Sequence, residues 1–175
     1  MLSAPTKGRC LLLTLTNEPF QPVRLYYSIS DRASVCKHLR SLECMVETPR
    51  EQCWQWLFQA EATSLRFASG YENVPKERRP IILGRIRFPK DGSMMTLQTN
   101  SIQRAIVAAG FFAPHLGAQS VLVRCRIVNR YFAGEEGSPK ELVKFLDRDV
   151  IVVKDVPMVE DFPLAPERSR TISGT

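Results

Sequence analysis

The sequence predicts an α+β fold: a mixed, mostly antiparallel sheet with helices packed mainly on one face, in a single domain. Three observations carry this. Residues 81–88 and 121–132 each alternate apolar with basic side chains at the period of two that defines a strand. Pro89-Lys90-Asp91-Gly92-Ser93 is a turn signal that folds residues 94–99 back on the first of these strands. The full element order, β-β-α-α-β-β-α-β-α-β, lacks the strict alternation of a doubly wound fold.

The elements follow from local signals. Residues 1–8 read as an arm. The run Cys10, Leu11, Leu12, Leu13, Leu15 reads as a buried strand over 9–16, and two prolines make 17–22 a turn. Residues 23–29 form a second strand, with Val23, Leu25, Tyr27 and Ile29 on one face and Arg24, Tyr26 and Ser28 on the other. Ser30 and Asp31 offer side chains to cap a helix reaching about residue 45, with Val35, Leu39 and Leu42 at helical spacing. Thr48-Pro49-Arg50-Glu51 has the form of a capping box with proline at the first helical position. It opens an expected helix to about Ala68.

Residues 71–80 read as a polar, basic loop. The strand over 81–88, its hairpin partner over 94–99 and a largely apolar helix from Ile102 to about Ala113 follow, with Pro114 and Gly117 as stop signals. The long strand over 121–132 comes next. Ser138-Pro139-Lys140-Glu141 repeats the capping signature and starts a short helix to about Leu146. Val150-Ile151-Val152-Val153 closes a domain spanning 9–155. Residues 156–175, with three prolines, read as a flexible tail.

The bulk numbers fit a globular chain. Of 175 residues, 44% are hydrophobic and 24% charged, which argues against wholesale disorder. The net charge of +6 and a pI near 9.3 favour acidic partners. No apolar run reaches the ~20 residues of a membrane span, so no membrane insertion is expected. Five cysteines, an odd number without CxxC spacing, suggest free thiols and a cytoplasmic setting.

The functional signal is arginine placement. Arg85 and Arg87 share the polar face of one strand, and Arg124, Arg126 and Arg130 that of another. Val121, Val123, Cys125 and Ile127 are expected on the opposite, apolar face. Arg24 and Tyr26 join the cluster if the second strand lies in the same sheet. Guanidinium groups fork onto phosphate and carboxylate oxygens, and an open sheet face is a platform for single-stranded nucleic acid. The expectation is therefore a non-catalytic binding module for an anionic partner, nucleic acid first. An acidic protein or self-association as a homodimer is the alternative, and a small enzyme holding a phosphorylated or carboxylated substrate the third. The RNA-recognition-motif signature is absent and aromatics on the face are few, so backbone contact is favoured over base readout.

Lys76, Arg78, Arg79 and Lys90 extend the basic set from loops, and Arg168 and Arg170 from the tail. Trp54 and Trp56 are protein-contact candidates. On a helix Trp54 and Phe58 share a face while Trp56 points away, which leaves an aromatic for a partner. Cys36, His38, Cys44 and Cys53 do not match metal-site spacings. His115 reads as a cation at a helix C-terminus, Cys125 lies on a buried strand face, and Glu135-Glu136 sit in a turn. No catalytic residue, cofactor or metal is expected.

Overall fold

The structure, a computed structural model, describes residues 10–154. The arm at 1–8 and the tail at 156–175, with Arg168 and Arg170, lie outside the described residues. The chain forms one α+β unit built on a seven-stranded sheet. Its strands are β1 (Val23–Ile29), β2 (Met45–Thr48), β3 (Cys53–Leu57), β4 (Ile82–Arg87), β5 (Met94–Thr99), β6 (Ser120–Val128) and β7 (Val150–Lys154). The order across the sheet is β2-β3-β4-β5-β1-β6-β7, and every neighbouring pair is antiparallel.

The helices are α1 (Arg32–Ser41), α2 (Ile102–Leu116) and α3 (Pro139–Leu142). Asp31 caps α1 by accepting the Ala33 N–H, and Ser101 caps α2 by accepting the Arg104 N–H. Each satisfies an orphan donor of the first turn. Val35 and Leu39 of α1, and Ala105, Ala108, Phe112 and Leu116 of α2, are buried in one core with the inward residues of β1, β3, β4 and β5. Gly84 is needed where β4 passes β5, because a Cβ there would lie 3.0 Å from the Gln98 carbonyl oxygen.

Two expectations are corrected by this geometry. Residues 48–68 are not a helix. Pro49–Glu51 makes a single tight turn that ends at Gln52 with φ 50°, and the chain then enters β3. Pro49 does start a turn, but Thr48 makes no capping hydrogen bond among the described residues, and a strand follows. Cys53-Trp54-Gln55-Trp56-Leu57 alternates large apolar residues about Gln55, and the sheet decides the outcome. Of the strand expected over 9–16, the described residues 10–16 are likewise no buried strand. They make isolated bridges, Leu11 to Ala133 and Leu13 to Pro19, and leave Leu11, Leu13 and Leu15 exposed.

Smaller differences have plain causes. α2 continues through Pro114 to Leu116 before Gly117 ends it. In β6 the pairing with β1 slips between Tyr26 and Tyr27, so Tyr26 faces Arg124 while Tyr27 faces Leu122. Val123 is the extra residue of this bulge, and the alternation inverts beyond it. Leu122 therefore packs against the core, and Val121, expected to face inward, is 56% exposed opposite Ser28. The two longer helices, α1 and α2, share one face, as expected, and the short α3 lies on the other. α3 and the turn after it pack through Leu142 and Leu146 with Phe20, Val128 and Phe132. Val128 lies two residues beyond Arg126, on the arginine side. The second cluster thus covers one end of that face.

A buried ion pair ties the N-terminal ribbon to α2. Arg104 Nε lies 3.1 Å from Glu18 Oε1, with both side chains almost fully buried. Arg104 also donates to Thr16 Oγ1 and to the Ile82 carbonyl. The Thr14 and Thr16 hydroxyls donate to the other Glu18 oxygen. Burial pushes the Glu18 carboxyl up, but Arg104 and the two hydroxyls outweigh it and hold the pKa below the ordinary value.

Among the described residues no helix is long and apolar enough to cross a membrane.

Candidate anion-binding sheet face

Directly opposed residues of an antiparallel pair share a face. One row across the sheet is Gln55, Arg85, Gln98, Arg24, Arg126 and Val152. A neighbouring row is Arg87, Thr96, Tyr26, Arg124 and Lys154. β1, β4 and β6 therefore place Arg24, Tyr26, Arg85, Arg87, Arg124 and Arg126 on one face. From β4 to β6 is three strand steps, roughly 14 Å at ~4.8 Å each.

The arginines differ in how committed they are. Arg24 reaches Asp147 at 3.1 Å and Gln98 at 3.3 Å. Arg130 pairs with Glu136 and lies over the rings of Phe132 and Phe145 at 4.9 and 5.4 Å. It belongs to the packing around the second cluster. Arg85, Arg87, Arg124 and Arg126 make no side-chain hydrogen bond or ion pair among the described residues. Arg124 stacks over the Tyr26 ring at 4.1 Å, and Arg126 lies 5.7 Å from the same ring. The Nε atoms of both are buried without a hydrogen-bond partner among the described residues. A buried donor left unmet costs about 1–3 kcal/mol. The stacking holds the two guanidinium groups in place and leaves their donor capacity unused. It also covers Tyr26, which is 9% exposed and presents little ring for a base.

Two adjoining hollows lie over the β4, β5 and β1 part of the face, and Arg124 and Arg126 line neither. One, of about 620 Å³, is lined by Arg24, Arg85, Arg87, Gln98 and Lys140, among others. The other, of about 590 Å³, includes Arg78, Arg85 and the N-terminal ribbon. They share Arg85, Asn100 and Pro139, which makes a continuous cleft walled by α3. The acidic residues on its lining are Glu51 and Glu77.

The loop residues divide. Arg78 lines the cleft. Arg79 is a brace: it donates to the Val74 and Glu72 carbonyls and lies 4.8 Å from the Tyr71 ring. Lys76 is exposed on the loop, and Lys90 is exposed at the β4–β5 turn, off the far end of β4. Neither lines the cleft. Trp54 and Trp56 are not available to a partner. Both point from β3 into the core at 4% and 0% exposure, and Trp56 packs on Phe111 and Phe112. Their expected split across a helix fails because both lie on the inward side of a strand.

Lys140, Asn100, Gln98 and Lys154 enter the site from the structure alone. Alternation of half-exposed Met94, Thr96 and Gln98 against buried Met95, Leu97 and Thr99 was a usable signal for Gln98. The period of β7 was one for Lys154. Lys140 and Asn100 depend on tertiary packing and had none.

His38 and His115 line a separate hollow of about 380 Å³ between the ends of α1 and α2, with no arginine on its lining. The described residues hold no group of three or more His, Cys, Asp or Glu side chains able to bind a metal. Comparison with known protein families, with curated proteins and with solved structures finds no match.

Proposed function

We propose that this chain is a non-catalytic binding module that holds single-stranded nucleic acid by its phosphates on the arginine face. One observation carries the reading: four guanidinium groups, on Arg85, Arg87, Arg124 and Arg126, share one partly exposed face without carboxylate partners among the described residues. Arg24 and Arg126 oppose each other across β1 and β6; like charges so placed cost free energy, and a polyanion offsets that cost. Phosphate oxygens are the natural acceptors for unused guanidinium donors. The scarcity of exposed aromatic rings on the face supports backbone contact, which is sequence-tolerant. The walled cleft suits a single strand better than a duplex.

The test is fluorescence anisotropy with labelled single- and double-stranded oligonucleotides at low salt. Binding should favour the single strand, and Arg85→Gln/Arg87→Gln should weaken it across all sequences alike. Absence of binding at low salt refutes the proposal and turns attention to an acidic protein partner.

A further inference from the structure

The two edges of the sheet are unlike. β2 is four residues long, and its Glu47 is paired with Arg40. Short, charged edge strands resist pairing with another chain. β7 is only one residue longer, and its one charge, Lys154, sits at its end. Val150, Ile151, Val152 and Val153 run without charge, proline or glycine. Ile151, Val152 and Val153 are 48%, 44% and 37% exposed. Val152 lies opposite Arg126 on the arginine face, while Ile151 and Val153 lie opposite Ile127 and Cys125 on the helix face. The edge is thus apolar on both faces, and its outer backbone groups face no strand among the described residues.

We infer that β7 is a self-association edge, where a second copy of this chain adds its own β7 antiparallel about a two-fold axis normal to the sheet. A covering strand must bring open backbone groups and branched apolar side chains on both faces. β7 itself has that pattern. With the axis at Val152, the two Val152 residues oppose each other and Ile151 opposes Val153 of the copy. Pairs of β-branched residues across strands are favourable. Pairing of β7 with β2 of another copy would be head-to-tail and open-ended, and the short, charged β2 opposes it. The isologous pair closes on itself.

Face identity is conserved across such a junction, so both arginine faces lie on one side. The row of Arg24 and Arg126 continues through Val152 into the same row of the copy. The distance from β4 to its symmetry mate is nine strand steps, roughly 43 Å at ~4.8 Å per step.

Sedimentation velocity of the full chain over a wide concentration range tests this. A monomer–dimer equilibrium is expected. Val152→Lys and Ile151→Lys, each present twice about the axis, should raise the dimer dissociation constant at least about tenfold. Both sites are exposed, and circular dichroism checks that the variants fold. In a Cys10→Ser background, Val152→Cys should form an interchain disulfide on mild oxidation, since opposed Cα atoms lie about 4.5–5.5 Å apart. Val46→Cys on β2 should not. A monomer at every concentration overturns the inference, as does a dimer that Val152→Lys leaves intact. Dimerisation seen only after truncation at Lys154 also overturns it, because the following segment is then the occupant. The measurement contains no nucleic acid, so its outcome is independent of the proposed binding activity.

Discussion

Replacing Glu18 with glutamine removes the counter-charge of a guanidinium that is 4% exposed. Arg104 keeps its bonds to Thr16 and Ile82 but loses the carboxylate 3.1 Å from Nε. The Thr14 and Thr16 hydroxyls lose their charged acceptor. Breaking a buried ion pair from one side costs about 3–5 kcal/mol, because the remaining charge stays buried. At about 2–4 °C per kcal/mol for a chain of this size, Tm should fall by about 6–20 °C. The assay is urea unfolding followed by tryptophan fluorescence, with Trp54 and Trp56 as core reporters. Glu18→Leu/Arg104→Met should be less destabilised than the sum of the single changes, since both charges leave together. The pair also sets a pH dependence. The folded pKa of Glu18 lies below its ordinary 4.5, so its contribution is present above that value. It is lost as pH falls through the folded pKa. Glu18→Gln should flatten the stability profile in that acidic window. A Glu18→Gln cost under about 1 kcal/mol would refute the reasoning.

Three further outcomes follow from local geometry. Gly84→Ala should destabilise by about 1–3 kcal/mol in the same unfolding assay, because the new methyl group meets Gln98 O and Leu97 Cδ1 at 3.0 Å. Asp31→Ala should lower the unfolding midpoint through loss of the α1 cap; an unchanged midpoint would show the Ala33 N–H finds water equally well. In thiol titration of the folded protein, Cys10 and Cys36 should react first. Buried Cys44, Cys53 and Cys125 should wait for unfolding. Burial, with Glu61 adding to it, pushes Cys44 up to about 12, and burial pushes Cys125 up to about 11.

The fold was legible where one period dominates a stretch. β1, β4, β6 and α2 each announce themselves through alternation or helical spacing, β7 through an unbroken apolar run, and β5 through the Asp91-Gly92 turn that joins it to β4. The region around β3 was not legible, because Thr48-Pro49-Arg50-Glu51 starts a helical turn whether or not a helix follows. Five residues of Trp-Gln-Trp alternation were outweighed by that local signal. The bulge at Val123 was hidden for a different reason: pairing register is a property of two strands, and Val121 reads as inward until β1 fixes it. The arginine face was legible strand by strand, yet its partition was not. Asp147 and Glu136 come to Arg24 and Arg130 through tertiary packing, and α3 with Lys140 walls the cleft by the same route.

The most direct test of the central claim is the salt dependence of single-stranded oligonucleotide binding. Four guanidinium groups contacting phosphates, on Arg85, Arg87, Arg124 and Arg126, predict a slope of log affinity against log salt of about −2.8, at about −0.7 per contact. Arg124→Ala/Arg126→Ala should bring it to about −1.4. A slope that the double variant leaves unchanged, or no binding at low salt, would contradict the assignment of this face.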